Sequence, residues 1–398
     1  MRRALSVDID ESTWPGAGLE PCFPSQFLNG VSQYDLNIPS MLLLIGYLTT
    51  PAATTGVTLS EFWAWVRYLA AISSNDIDMR LSQSFADLDA HQKTILSDDF
   101  GMGVSMHWLL DTLSFDRIVD GRYFMQQFAS SLSVTQQRTA KRGPNKTPDF
   151  VARDTNGLWH VVECKGTQSG VVYSEEQMSG GINQKLSLKF PTGHTGQRLV
   201  CGLSIGVEGG LGSRLKIIDP VADEPIEILS SELPRANDAA TRGVMSKALR
   251  MAGFEVSADT IASPRGKWPA WMRTKSVLGE QQRRNFLIDR DTKARDELTY
   301  EDLHTKLFDD VFIGREVRIE LPRAIVVDGS YVSHVIIRQG INRDAIRELA
   351  EQPTVNENIQ EVGSEWLDMV GKNQTSSDGL FAALEIGKVF RAEIILGG

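Results

Sequence analysis

The stretch Pro148-Asp149-Phe150-Val151-Ala152-Arg153-Asp154-Thr155-Asn156-Gly157-Leu158-Trp159-His160-Val161-Val162-Glu163-Cys164-Lys165 decides how this chain is read. Two short runs rich in Phe, Val and Trp flank a cluster containing Asn156-Gly157. This is the pattern of a β-hairpin whose turn takes its positive φ from Asn-Gly. Side chains alternate along a strand, so Glu163 and Lys165 share one face and Cys164 points to the other. A three-residue loop, Thr155-Asn156-Gly157 with Gly157 left-handed, sets Asp149 opposite Glu163, with Cβ atoms roughly 5 Å apart. A two-residue loop puts Asp149 on the wrong face unless a bulge re-aims it. Two carboxylates that close, beside a valine-rich strand, call for a cation between them. Oxygen-only ligands with open positions suit Mg²⁺ or Mn²⁺ rather than zinc.

Pro148-Asp149, thirteen further residues and then Glu163-Cys164-Lys165 resemble the PD-(D/E)xK motif of the restriction-endonuclease-like nuclease superfamily. The resemblance implies an α/β fold with a mixed-sheet core flanked by helices. It implies Asp149 and Glu163 as Mg²⁺ ligands (Mn²⁺ may substitute), the Cys164 carbonyl as a further ligand, and Lys165 as the group that orients or activates the attacking water. An extra acid on the first core helix is a feature of many members; Asp99 is the candidate here and Asp98 its competitor. A glutamine or lysine on the helix after the motif strand is matched by Gln184 and Lys185. The implied activity is metal-dependent hydrolysis of DNA phosphodiester bonds, with the metal and the ammonium stabilising charge that builds on the phosphate. Duplex cleavage requires two such sites, hence a homodimer. The family suggests restriction or anti-phage defence, with accessory defence proteins as partners. A nuclease acting on RNA or on repair structures, and a non-catalytic nucleic-acid-binding or scaffold protein of the same fold, are the alternatives.

An acid-x-lysine triplet by itself carries little information, and a second one stands at Asp291-Thr292-Lys293. That one lies among charged residues with no apolar strand and reads as solvated surface. Pro148-Asp149 is the only Pro-Asp in the chain. The bland reading, a hairpin ending in a surface ion pair, fits poorly with a valine-rich strand that runs into Glu-Cys-Lys-Gly.

The length of 398 residues allows two or three domains, and 41% hydrophobic with 23% charged residues is an ordinary globular composition. The most apolar run, Met41 to Leu48, is far too short to span a membrane, and no apolar signal segment follows Met1-Arg2-Arg3. Three scattered cysteines, Cys22, Cys164 and Cys201, fit a reducing cytoplasm and show no metal-site spacing. The net charge of −10 argues against a general nucleic-acid binder, yet residues 1–100 hold twelve of the acids and only five basic residues. Arg138, Lys141, Arg142 and Lys146 precede Asp149 with no acid between them. They read either as a phosphate-steering arm or as a solvated loop. Arg265, Lys267, Trp268, Trp271, Arg273 and Lys275 are the second basic candidate, with tryptophans that either stack on bases or anchor a loop.

Three segments are expected. Residues 1–97 read as a mainly helical accessory module, from the capping box at Thr58 to Glu61 and the stripe Phe62, Trp65, Val66, Leu69 and Ile72. Residues 98–220 read as the nuclease core: an apolar helix through Trp108, a strand from Arg117 to Phe128, the hairpin, a helix opened by Ser174 to Gln177, and strands at Leu199 to Ile205 and Ser213 to Asp219. Residues 221–398 read as an α+β region for target recognition or oligomerisation, with hairpins around Asp328-Gly329 and between Gly379 and Leu396. The glycine-rich run Gly206 to Gly212 lacks the lysine and spacing of a phosphate loop.

Overall fold

A seven-stranded mixed sheet lies at the centre of the computed structural model, which describes all residues except 17, 54–59, 75, 132–146, 186–187, 221–225, 263–276, 300–303, 353–358 and 360–362. Its strands are β1 (Arg2–Ile9), β2 (Gly30–Asn37), β3 (Phe115–Asp120), β4 (Phe150–Asp154), β5 (Trp159–Thr167), β6 (Thr195–Ser204) and β7 (Arg214–Ile218). They lie in the order β2-β1-β7-β6-β5-β4-β3. β1 runs parallel to β7 and β5 parallel to β6, and the other neighbours are antiparallel. β5 and β6 are buried along nearly their whole length, as expected of parallel neighbours covered on both faces.

Helix α3 (Ala90–Leu113) covers one face of β5, and α5 (Val171–Lys185) covers the other. Two further helices join this sheet to a second, curled antiparallel sheet. The second sheet is formed by β8 (Thr305–Leu307), β9 (Phe312–Val327), β10 (Ser330–Asn342), β11 (Asn373–Asp378), β12 (Phe381–Ile386) and β13 (Phe390–Gly397), in the order β8-β9-β10-β13-β12-β11. The β9–β10 register shifts between Glu320 and Ile325, a local irregularity that bends the ribbon.

The first connecting helix, α1 (Ile38–Thr49), starts where β2 ends. Asn37 caps it by accepting from the Ser40 N–H at 2.9 Å, and Pro39 stands in the first turn, where a missing N–H costs nothing. Ile38 to Leu48 are all buried, because α1 packs on α3 and on β11, β12 and β13. The apolar run too short for a membrane is therefore a strut between two sheets. The second strut, α6 (Leu233–Ala252), packs between β3 and α4 (Gly121–Ser131) on one side and β9 and β10 on the other. It buries Arg242, Lys247 and Arg250. Each is paired: Arg242 with Asp238 at 3.0 Å, Lys247 with Asp120 at 2.9 Å, and Arg250 with Asp259 at 2.6 Å and also with Glu255. The chain's amino group donates to the Gly379 carbonyl at 3.0 Å and pairs with Asp328, bringing β1 against the second sheet.

Several expected boundaries differ from these elements. β1 and β2 belong to the central sheet although residues 1–97 read as mainly helical, and residue 97 falls inside α3. The β1 pattern Leu5, Val7, Ile9 is a period-2 strand signal whose parallel partner, β7, lies some two hundred residues away. The strand expected from Arg117 to Phe128 is β3 followed at once by α4, because Gly121 turns the chain against Pro148. The hairpins around Asp328-Gly329 and between Gly379 and Leu396 are present as β9–β10 and β12–β13. Asp291-Thr292-Lys293 lies on helix α7 (Val277–Thr299), where Lys293 pairs with Asp289 in solvent. Among the described residues no helix is long and apolar enough to cross a membrane.

Candidate functional site

The β4–β5 hairpin has the three-residue loop. Asp154 and Leu158 close it through an N–H to carbonyl bond of 2.9 Å, Gly157 has φ +84°, and the Asp154 carboxylate accepts from the N–H groups of Asn156 and Leu158. The ladder then runs Arg153 to Trp159, Ala152 to His160, Val151 to Val161 and Phe150 to Val162. One step further, Asp149 meets Glu163: the Asp149 N–H donates to Glu163 Oε2 at 3.1 Å, and the Cys164 N–H donates to Asp149 Oδ2 at 2.8 Å. Lys165 Nζ donates to Glu163 Oε1. The motif's two acids and lysine therefore converge at one end of the hairpin, as the three-residue loop requires.

Glu163 is fully buried and Lys165 is 24% exposed at its side chain. Burial, and then the Asp149 charge, push the Glu163 carboxyl up to about 8 against the pull of Lys165. Asp149 is also raised by burial, with Lys165 opposing. Burial would lower Lys165, but Glu163 and then Asp149 outweigh it and hold the ammonium above its ordinary range. Cys164 lies on the opposite face, its thiol pushed up by burial. His160 shares that face, away from the two acids, and its Nδ1 accepts from the Gln197 N–H at 3.0 Å, a structural role.

Helix α3 meets β5 by backbone contact. A Cβ on Gly101 would stand 2.8 Å from the Lys165 carbonyl group and the Gly166 nitrogen, and one on Gly166 would stand 1.8 Å from the Ser97 carbonyl oxygen. This close approach fixes the rotation of α3 and decides between the two neighbouring acids. Asp98 is exposed and feels the charges of Lys165 and Asp149. Asp99, the first candidate, instead accepts a hydrogen bond from the hydroxyl of Tyr68 on helix α2 (Ser60–Ala71). The helix acid beside the site is thus Asp98, the competitor. On the other face, a Cβ on Gly181 of α5 would lie 3.1 Å from Glu163 Cγ and 3.4 Å from Lys165 Cε, so α5 roofs the acids.

Gln184 and Lys185 fall in the last turn of α5, three and four residues beyond Gly181; their side chains lie outside the described residues. Arg138, Lys141, Arg142 and Lys146, and the segment from Arg265 and Lys267 to Lys275, also lie outside them. Spacing and composition give no sign of the Gly101–Gly166 contact; for Gly181 the one signal in the sequence is the glycine pair Gly180-Gly181 inside a helical stretch, which by propensity alone marks only a weak helix.

The donors fit Mg²⁺ or Mn²⁺ in kind: two carboxylates and the Cys164 carbonyl, all oxygen. Among the described residues no three His, Cys, Asp or Glu side chains stand close enough to form a metal-binding group. No known protein family, curated protein or solved structure matches the chain.

Proposed function

We propose that the chain is a metal-dependent nuclease with a restriction-endonuclease-like core, hydrolysing DNA phosphodiester bonds. The observation that supports it is the convergence of Asp149, Glu163 and Lys165 at one end of a hairpin, with Asp98 beside them. A divalent cation bound there would polarise the scissile phosphate and acidify a water. Asp149 and Glu163 would hold it, helped by the Cys164 carbonyl. Lys165, kept protonated by its two acidic neighbours, orients the attacking water and counters charge gathering on the phosphate. The α5 roof excludes bulk water from Glu163, and the partly exposed Lys165 end is the side from which phosphate enters.

The test is cleavage of plasmid, single-stranded DNA and RNA in Mg²⁺, Mn²⁺ or EDTA, comparing the wild type with Asp149→Ala and Lys165→Ala. Metal-dependent cutting lost in both variants supports the reading, and the preferred substrate identifies DNA or RNA. Cutting that survives both substitutions removes it. Cleavage of both strands of a duplex by a homodimer follows from the same reading; a monomer by light scattering, alone and on DNA, would end that part of it.

A further inference from the structure

We propose that Lys165 competes with the cation as well as assisting it: its ammonium occupies the position on Glu163 that a divalent ion must take, and ion binding displaces it. The inference rests on the reading of Asp149 and Glu163 as metal ligands and adds a regulated step to that site.

Both oxygens of the buried Glu163 are engaged. Oε2 is held by the Asp149 main-chain N–H at 3.1 Å, and Oε1 by Lys165 Nζ. Asp149 Oδ2 is likewise held by a main-chain donor, Cys164 N–H at 2.8 Å. Both of these donors are fixed in the main chain of the hairpin. Lys165 Nζ is the one donor of the three carried on a side chain, so it can leave by rotation while the other two stay in place.

The surroundings allow that rotation. Lys165 is partly exposed, so its head leaves toward solvent without opening the core. Its stem passes Gly181, where the absence of a Cβ leaves room beside Cε. Asp98, exposed on α3 and within reach of the lysine's field, offers the ammonium a further anionic neighbour. Lys165 thus has three acidic neighbours, Glu163 and Asp149 inside and the exposed Asp98 outside. The inner position holds the ammonium on Glu163 Oε1; the outer one frees Oε1 for the ion and leaves the ammonium beside the entering phosphate.

Mn²⁺ titration, followed by the electron paramagnetic resonance of the free ion, tests this without reference to turnover. Removing a positive charge next to a divalent ion in a partly buried site strengthens binding, so Lys165→Met should bind Mn²⁺ at least about fivefold more tightly than the wild type. Lys165→Arg, which keeps the charge, should stay within about twofold, and Asp149→Asn should bind at least about tenfold more weakly. Lys165→Gln replaces Lys165→Met if the latter does not melt cooperatively. Equal or weaker binding by the charge-removing variant, with Asp149→Asn still impaired, overturns the competition while leaving the metal site intact. Equal binding by wild type and Asp149→Asn, or none by any variant, overturns the metal-site reading and the inference with it.

Discussion

Replacing Gly101 by alanine sets two known effects against each other. In a helix interior alanine is favoured over glycine by about 1 kcal/mol, so the substitution should stabilise α3 if nothing stands in its way. Here the new methyl would be 2.8 Å from the Lys165 carbonyl group and the Gly166 nitrogen. These are backbone atoms of β5 where it is paired with β6, Lys165 with Gly202 and Gly166 with Leu203, and they cannot swing aside as a side chain would. Overpacking of this kind costs about 1–3 kcal/mol, and more where the backbone itself must move. Because the opposing atoms are backbone, the cost lies at or above the upper end of that range and outweighs the gain, for a net loss of about 2 kcal/mol. Gly180→Ala is the internal control: it lies in α5 with nothing within 4 Å of the added methyl and should gain about 0.5–1 kcal/mol. Urea denaturation of both variants, compared by midpoint at unchanged slope, reads the difference directly. Gly101→Ala should also weaken Mn²⁺ binding, because pushing α3 off β5 moves the main chain at Lys165. A Gly101→Ala protein as stable as Gly180→Ala would refute the backbone contact and, with it, the reason why Asp98 faces the site.

Three further outcomes follow from particular groups. Glu163 keeps its proton up to about pH 8 in the folded chain against 4.5 ordinarily, so in EDTA the folded state binds the extra proton between those values and stability falls as pH rises through them. Glu163→Gln should flatten the slope between pH 5 and pH 8 in urea melts, and an unchanged slope would assign the pH dependence elsewhere. On the proposed nuclease reading, Asp98→Asn should lower the cleavage rate at least about tenfold with little change in melting, whereas Asp99→Ala, which removes the acceptor of the Tyr68 hydroxyl, should cost about 1 kcal/mol of stability and leave the rate within about threefold. Lys247→Met strands Asp120 and the carbonyls of Tyr47 and Leu48 and should cost about 3 kcal/mol or more by urea denaturation; a loss under about 1 kcal/mol would mean that the α6 strut does not depend on this ion pair.

What the sequence disclosed was local. Asp154 to Gly157 carries its own turn chemistry, and once the loop is three residues long the meeting of Asp149 with Glu163 follows from counting. The choice between Asp98 and Asp99 was beyond that method, because it depends on how α3 is rotated, and the rotation is set by glycines in two elements sixty-five residues apart. β1 was missed for a similar reason: its alternation is short, and its parallel partner is far along the chain. The apolar character of Met41 to Leu48 was plain, but a strip of sequence does not tell a strut between two sheets from any other buried helix. The charged residues of α6 stand in the sequence without visible partners, because Asp120 closes β3 far upstream and Glu255 and Asp259 lie on the helix that follows.

The pairing of β1 with β7 also has a consequence for synthesis. β1 and β2 have both left the ribosome once residue 37 has, but Ser6 waits for Arg214 before its other edge is covered. At ordinary elongation rates that interval is about 10–40 s. For that time a ribbon with Leu5, Val7 and Ile9 on one face presents an open strand edge to every other nascent chain nearby. The yield of this protein should therefore depend on how crowded its translation is, and more strongly than the stability of its finished fold would suggest.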